Sequence, residues 1–375
     1  MDARNLLAGA IRRAREAAGL TQQALASATG FGSLQIVSAI ETGQRDVKAW
    51  ELVGIARALH TSVDALLGLD APVAARVFWR RGSSGISRER EAQLRERAER
   101  FALLEEWCEL PPAEPLPDLA LSPQRASFSD VEQLARSVAR QLDLGSRPAA
   151  SLLNVLEERF RLKVFYDELG AGESAACARG AFGAAVLMNA AQAPWRRNFS
   201  LAHELFHLVT WSAVEAIWPA DGEPVWSERL EKLADVFASQ LLLPADEVNA
   251  QVDARTAEGR ELAPAEVIEM AREFNVSTEA MAWRLVNLRR RDAEWAKALL
   301  ADAEFRRRDR LTMPARWTRP EVPFPERYRR LALLAYEADR LSLSRLAEFL
   351  ESSIGQVHAV LEDAELGETA AAPAP

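Results

Sequence analysis

The sequence predicts a multidomain protein with an all-α N-terminal bundle, an α+β middle domain and a helical C-terminal region. Three observations support this fold class. The 375 residues exceed what one hydrophobic core usually organises. Helical periodicity runs through residues 5–70 and returns beyond residue 251, whereas residues 162–189 contain short strand-like segments flanked by glycines. Prolines at 111–117 prevent a continuous helix between the first two parts.

Composition restricts the class of protein further. Hydrophobic residues make up 49% and charged residues 27% of the chain, as in soluble globular proteins. No apolar run approaches the roughly 20 residues of a membrane span, and the N-terminus lacks a signal-peptide core, so no membrane partner is expected. Two cysteines do not form a disulfide framework, which favours the cytoplasm. The net charge of −9 argues against a general coating of nucleic acid.

The patterns divide the chain into five parts. These are a helical bundle at 1–70, a connector at 71–128, an α+β domain at 129–250, a helical region at 251–366 and a tail at 367–375 that is expected to be disordered. The connector contains a charged helix at 88–109. Its apolar side chains form one stripe: Leu94, Ala98, Phe101, Leu104 and Cys108. Two interpretations remain open, the seam of a homodimer and packing on the next domain.

Residues 19–43 have the layout of a helix-turn-helix, the motif that reads DNA in many regulators. Gly19 ends a first helix, Thr21 caps a second, Gly30 ends it and Ser33 begins a third. Residues 19–26, 40–43 and 55–67 resemble the Xre-type helix-turn-helix of phage-repressor-like regulators. The resemblance implies that the partner is double-stranded DNA and that the third helix enters the major groove.

The same resemblance assigns candidate DNA contacts. The base-side candidates are Ser33, Leu34, Gln35 and Ser38, and Gln22 is the phosphate candidate. The Gln35 amide has a donor and an acceptor, which suits adenine. Residues 1–70 contain seven Arg/Lys and seven Asp/Glu, so their net charge is zero, which implies dimerisation or a second basic surface. The alternative is a helical bundle that binds protein.

Residues 199–209 contain a metal-binding pattern. His203 and His207 are four residues apart, which places both imidazoles on one face of a helix, one turn apart. Glu204 follows the first histidine and is placed to accept a proton from water beside a metal. The alternative is two half-buried histidines on an amphipathic helix. The apolar flanks and the total of only four histidines favour a metal site.

A third ligand is expected on a second helix at 227–243, where a carboxylate would complete a His₂Glu set. Glu228, Glu231 and Asp235 are the competing candidates on this helix. Residues 197–207 and 231–244 together resemble the ImmA/IrrE family of metallopeptidases. The resemblance implies a zincin-like α+β domain, a Zn²⁺ cofactor, Glu231 as ligand and Glu204 as base, with Asp235 supporting a ligand histidine.

Phe206 departs from that family pattern, because many relatives have glycine there, and we expect it to fill space beneath the site. Cys177 lies in the strand region before the metal helix. It is a candidate regulatory residue, because a thiolate at the open metal position would block water. The alternative interpretation is a buried, inert cysteine.

Residues 284–330 contain 14 Arg/Lys and seven Asp/Glu. Interleaved aromatic residues are Trp295, Phe305, Trp317, Phe324 and Tyr328. This pattern predicts a single-stranded nucleic acid as an effector, through phosphate pairing and base stacking. The alternative is a solvated basic face that pairs with the acidic remainder of the chain. Residues 341–360 resemble another helix-turn-helix in shape, with a packing module as the alternative.

Together these patterns predict a DNA-binding transcription regulator fused to a zinc-dependent endopeptidase. The family resemblance implies that the substrate is another protein, often a repressor, and that stress or foreign DNA is the trigger. Two alternatives remain. One is a transcription factor whose metal domain is a sensor or scaffold without catalysis. The other is a metalloenzyme whose N-terminal bundle binds only protein.

Overall fold

The computed structural model describes residues 3–59, 61, 63–67, 76–79, 88–119, 121, 125–170, 174–215, 227–313, 324–359 and 361. Contacts divide the chain into two compact units. The first comprises Met1–Arg76, Ser84–Glu99 and Gly180–Phe182, and the second contains the remainder. The predicted disordered tail lies outside the described residues. Among the helices within these ranges, none is both long enough and apolar enough to cross a bilayer.

The predicted N-terminal bundle is confirmed. Its helices are α1 (Ala3–Ala17), α2 (Gln22–Thr29), α3 (Leu34–Glu41), α4 (Ala49–Ala58) and α5 (Val63–Leu67). The Thr21 hydroxyl accepts a hydrogen bond from the Ala24 amide at 3.1 Å, which starts α2. Gly30 ends α2 with a positive φ of 73°, a conformation that glycine adopts without strain. Buried apolar side chains, including Ile11, Leu25, Val37 and Ile40, form the core.

The middle of the chain has the expected α+β composition. Its elements are β1 (Arg76–Trp79), α6 (Arg88–Trp107), α7 (Phe128–Gln141), α8 (Pro148–Glu158), β2 (Lys163–Asp167), β3 (Ala175–Gly180), β4 (Gly183–Asn189), α9 (Pro194–Val209), α10 (Trp211–Glu215) and α11 (Glu228–Leu242). The sheet order is β1-β3-β4-β2, and β2 pairs in parallel with β4. Helix α9 packs against β4, and α11 packs against α9 and α7. Helix α9, which contains the predicted metal-binding pattern, therefore lies between the sheet and α11, which contains the expected third ligand.

The remaining helices confirm a helical C-terminal region. They are α12 (Ala245–Arg255), α13 (Pro264–Glu273), α14 (Thr278–Asn287), α15 (Ala293–Ala301), α16 (Ala303–Thr312), α17 (Glu326–Glu337) and α18 (Leu343–Phe349). The ring of Phe349 packs against Trp107 at 5.7 Å, and the Tyr328 hydroxyl donates to the Phe349 carbonyl at 3.0 Å. These contacts support the packing interpretation of residues 341–360.

An aromatic cluster decides between the two interpretations of the connector stripe. The Phe101 ring meets the Tyr328 ring edge to face at 5.1 Å and the Phe165 ring at 5.9 Å. Phe324 stacks on Tyr328 at 4.3 Å. Phe101 is fully buried by these contacts within one chain, so packing rather than a dimer seam accounts for it.

The same burial removes most of the predicted stacking surface for single-stranded nucleic acid. Phe305, Phe324 and Tyr328 are all at most 3% exposed, so their rings cannot receive bases. Trp317 lies outside the described residues, and Trp295 is half-buried beneath the Arg291 guanidinium. The base stacking that was predicted for a single-stranded effector is therefore not available at these three rings.

A buried charge cluster lies beside the aromatic rings. The Glu105 carboxylate pairs with Lys163 at 2.8 Å and with Arg327 at 2.5 Å, which ties α6 to β2 and α17. Glu157 on α8 lies near Arg327 and Tyr166. Burial raises the pKa of Glu157 to about 7, against the attraction of Arg327.

This raised pKa predicts a pH-dependent stability. Because the folded pKa lies above the ordinary value of 4.5, Glu157 prefers its proton in the folded state, and stability falls as pH rises from about 4.5 to about 7. We expect Glu157→Gln to reduce this pH-dependent fall in the free energy of unfolding by up to about 3 kcal/mol. Urea denaturation of both proteins at pH 5 and pH 8 measures it. The same drop between the two pH values in wild type and variant would contradict the assignment.

Candidate metal centre and DNA-reading face

Helices α9 and α11 bring the predicted metal ligands together. Pro194 occupies the first turn of α9, where its fixed φ favours the helix, and every residue from Ser200 to Val209 is buried. His203 and His207 are 0% and 2% exposed. The Ser227 hydroxyl accepts from the Leu230 amide at 3.1 Å and starts α11, which places Glu231 in its first turn.

The three donor groups form a triangle. The Nε2 atoms of His203 and His207 are 3.3 Å apart. The Glu231 carboxylate oxygens lie 3.4 Å from His203 Nε2 and 3.5 Å from His207 Nε2. Ligands at 2.0–2.1 Å from a tetrahedral zinc ion are about 3.3 Å from one another. Two imidazole nitrogens and one carboxylate with these separations therefore fit a zinc ion.

The competing carboxylates are arranged differently. Glu228 is exposed and pairs with Lys232 at 2.8 Å, outside the triangle. Asp235 Oδ1 accepts a hydrogen bond from His203 Nδ1 at 2.9 Å. That bond fixes the imidazole with its proton on Nδ1, so the Nε2 lone pair faces the other two donors. The geometry agrees with the roles that the family resemblance implies for Glu231 and Asp235.

The ionisation state of Glu231 also suits a ligand. Burial raises the pKa of Glu231, but hydrogen bonds and charge interactions with His203 and His207 outweigh burial and lower it to about 2. The carboxylate is therefore ionised at neutral pH. Phe206 is fully buried against His207 and Phe237, with ring centroids 5.6 Å from each, and fills the space expected of it.

Glu204 is fully buried and faces strand β3, where Cys177 is also fully buried. Burial raises the pKa of the Cys177 thiol well above its usual range, and the negative charge of the Glu204 carboxylate raises it further. The thiol is therefore protonated beside the Glu204 carboxylate. This arrangement favours the buried, inert interpretation of Cys177, and its metal-blocking role stays a prediction.

The candidate DNA contacts have unequal accessibility. Leu34 and Gln35 are exposed at the start of α3, whereas Ser33 and Ser38 are half-buried. The Gln22 amide donates to the Glu41 carboxylate at 2.8 Å, and Glu41 in turn pairs with Arg15 at 2.5 Å. Gln22 thus joins α2 to a buried ion pair between α1 and α3. In this conformation its side-chain amide is used inside the bundle, and the phosphate contact stays a prediction.

Comparison with known proteins identifies two domains in the chain. Residues 6–67 match a helix-turn-helix domain family, and residues 157–286 match the family of the IrrE N-terminal-like domain, a peptidase family. The chain joins a helix-turn-helix DNA-binding domain to an IrrE-like domain. The IrrE-like match includes all three triangle residues and extends from α8 into α14.

No curated protein matches the chain. Among solved structures, a Mycobacterium tuberculosis transcriptional regulator is similar, with 19% sequence identity and a TM-score of 0.31. That match covers 50% of this chain and 51% of the regulator, so it spans about half the length of each.

Proposed function

We propose that the protein is a DNA-binding transcription regulator whose IrrE-like domain is a zinc-dependent endopeptidase. One observation carries the proposal: the triangle of His203, His207 and Glu231 has zinc-like separations, and Glu204 follows the first ligand on the same helix. A site that served only to hold structure would not require a carboxylate in this position. The helix-turn-helix domain of the protein and its free thiols are consistent with action in the cytoplasm.

Each side chain of the centre has a role in peptide hydrolysis. The bound zinc would supply Lewis-acid polarisation of a peptide carbonyl. Glu204 accepts the proton of the attacking water and returns it to the leaving amine. Asp235 holds His203 in the tautomer that offers Nε2 to the triangle. Burial of Glu204 keeps bulk water away from the base, which strengthens its interactions with the reacting groups.

The substrate in this proposal is another protein, and a repressor encoded beside the regulator is the first to test. Stress or foreign DNA would be the trigger. The test combines zinc analysis with incubation of purified neighbouring repressors with the zinc-loaded protein, followed by mass spectrometry of the products. Intact substrates after incubation with fully zinc-loaded protein would count against the peptidase.

A second candidate function is a transcription regulator whose metal domain is a sensor or scaffold. One observation favours it: His203, His207 and Glu231 are all at most 7% exposed, as expected of a closed structural site. The two functions differ in what they require of Glu204, because only catalysis needs its carboxylate.

DNA recognition gives a separate prediction. Gln35 is exposed at the start of α3, the helix proposed to enter the major groove. We expect Gln35→Ala to weaken binding to the cognate duplex by about 1–3 kcal/mol, with little loss on random DNA, because a bidentate base contact is removed. Fluorescence anisotropy at fixed salt measures both. Gln141→Ala on α7 is the control, and an equal loss on the two duplexes would refute the base contact.

A further inference from the structure

A cavity of about 810 Å³ lies beside the metal centre, within the second unit. We call it the tryptophan cavity. Its walls come from α9, α11, α14 and α16, and include Trp195, Phe199, Asp235, Thr278, Trp283 and Asp309. This volume falls in the range of preformed ligand sites, which are mostly apolar with a few polar groups.

The cavity borders the metal centre through two residues. Asp235 lines it and also holds His203 by the 2.9 Å hydrogen bond. Ser200 lines it and precedes His203 by three residues on α9, about one helical turn or 5 Å away. An extended peptide advances about 3.4 Å per residue. A peptide bond held at the metal centre would therefore bring a side chain one or two residues away to this cavity.

The charged groups in the walls are largely satisfied by one another. Asp309 pairs with Arg272 and accepts from the Thr278 hydroxyl at 3.0 Å. The Arg272 guanidinium lies over the Trp195 ring at 5.8 Å, which fixes that wall. Arg196 and Glu279 also line the cavity. Both side chains are exposed, and their charges are opposite in sign. Uncharged polar side chains also line the cavity (Ser174, Gln192, Ser239, Ser277 and Asn287), but the apolar atoms of indole, phenyl and aliphatic groups make up the larger share of its exposed surface.

We propose that the tryptophan cavity is a substrate subsite that binds a bulky apolar side chain, such as phenylalanine or leucine, one or two residues from the cleaved bond. The inference rests on the proposed peptidase function and names its substrate class. Helices α14 and α16 supply part of the walls, so the helical C-terminal region contributes to substrate selection as well as to packing.

The test uses a defined mixture of unstructured peptides, digested by the zinc-loaded full-length protein and mapped by mass spectrometry. Wild-type cleavage sites are expected to share a bulky apolar residue at one position. For a matched peptide pair with phenylalanine or alanine there, Trp283→Ala should reduce the ratio of kcat/KM by about tenfold or more. Trp295→Ala is the control, because Trp295 is also half-buried on a C-terminal helix but does not line the cavity.

The outcomes separate the two proposals. If wild type with full zinc cleaves no peptide, the peptidase function fails, and this inference fails with it. The subsite is refuted, and the peptidase function stands, if wild type cleaves but Trp283→Ala leaves the kcat/KM ratio of the peptide pair unchanged. An equal reduction of that ratio by Trp295→Ala has the same meaning. A non-peptide ligand would then be the occupant to seek. Charged residues at the selected position would refute the apolar class. Equal zinc content in the three proteins verifies that each is folded around its metal centre.

Discussion

We expect purified protein to carry about one zinc ion per chain, and we expect His203→Ala, His207→Ala and Glu231→Ala each to empty the site largely. This is the expected result if the triangle is the metal centre, because a catalytic zinc ion retains only three protein ligands and the loss of one leaves too few. The separations of 3.3–3.5 Å among the donor atoms motivate the prediction. Metal analysis after gel filtration at a fixed free zinc concentration measures it.

Glu228→Ala is the matched control, since it removes a glutamate one turn earlier on the same helix. Its carboxylate pairs with Lys232 at the surface, so zinc occupancy should stay near one per chain. Full occupancy after Glu231→Ala together with loss after Glu228→Ala would overturn the ligand assignment. Circular dichroism of the variants separates metal loss from unfolding.

The third ligand also marks a limit of reasoning from sequence. Glu228, Glu231 and Asp235 lie three and four residues apart, so all three share one face of α11. Helical spacing therefore cannot choose among them, and the choice of Glu231 came from the family pattern. What separates them is how α11 sits against α9, a tertiary contact that leaves Glu228 exposed and brings Glu231 within 3.5 Å of both histidines.

Local signals predicted the elements well where they were strong. The cap at Thr21, the helix start predicted at residue 227 and the strand-like segments predicted at 162–189 correspond to an observed helix cap, an observed helix start and observed strands. Strand β1 was missed, because its partner β3 lies about 100 residues further along the chain and a short edge strand inside a connector gives little local signal.

Long-range packing likewise explains the basic region. Phe324 and Tyr328 are interleaved with arginines, which resembles a nucleic-acid surface in sequence. In the fold Tyr328 packs on Phe101, more than 200 residues earlier in the chain, and Phe324 stacks on Tyr328. Periodicity could predict that α6 has a buried stripe, but not which helix would cover it. The tryptophan cavity was also missed, because Trp195 and Trp283 come together only when α14 packs near the start of α9.

Replacing the base while keeping the metal gives the largest expected functional effect. Glu204→Gln retains His203, His207 and Glu231, so it should fold, hold about one zinc ion and bind its operator as wild type does. Its amide cannot accept the proton of water, so peptidase activity should fall by about a hundredfold to ten-thousandfold. Zinc-loaded wild type and variant are compared on the same repressor substrate, with Glu158→Gln on the exposed side of α8 as the control.

The same variant tests why one chain carries both domains. Cleavage of a regulatory protein is irreversible, whereas binding of a ligand only shifts an equilibrium. If cleavage is the switch, cells with Glu204→Gln should keep normal occupancy of the operator but fail to change expression after the inducing stress. If the variant responds to the stress as wild type does, catalysis is not what switches expression. The metal centre would then act as a sensor or scaffold, in agreement with the near-complete burial of its three donors.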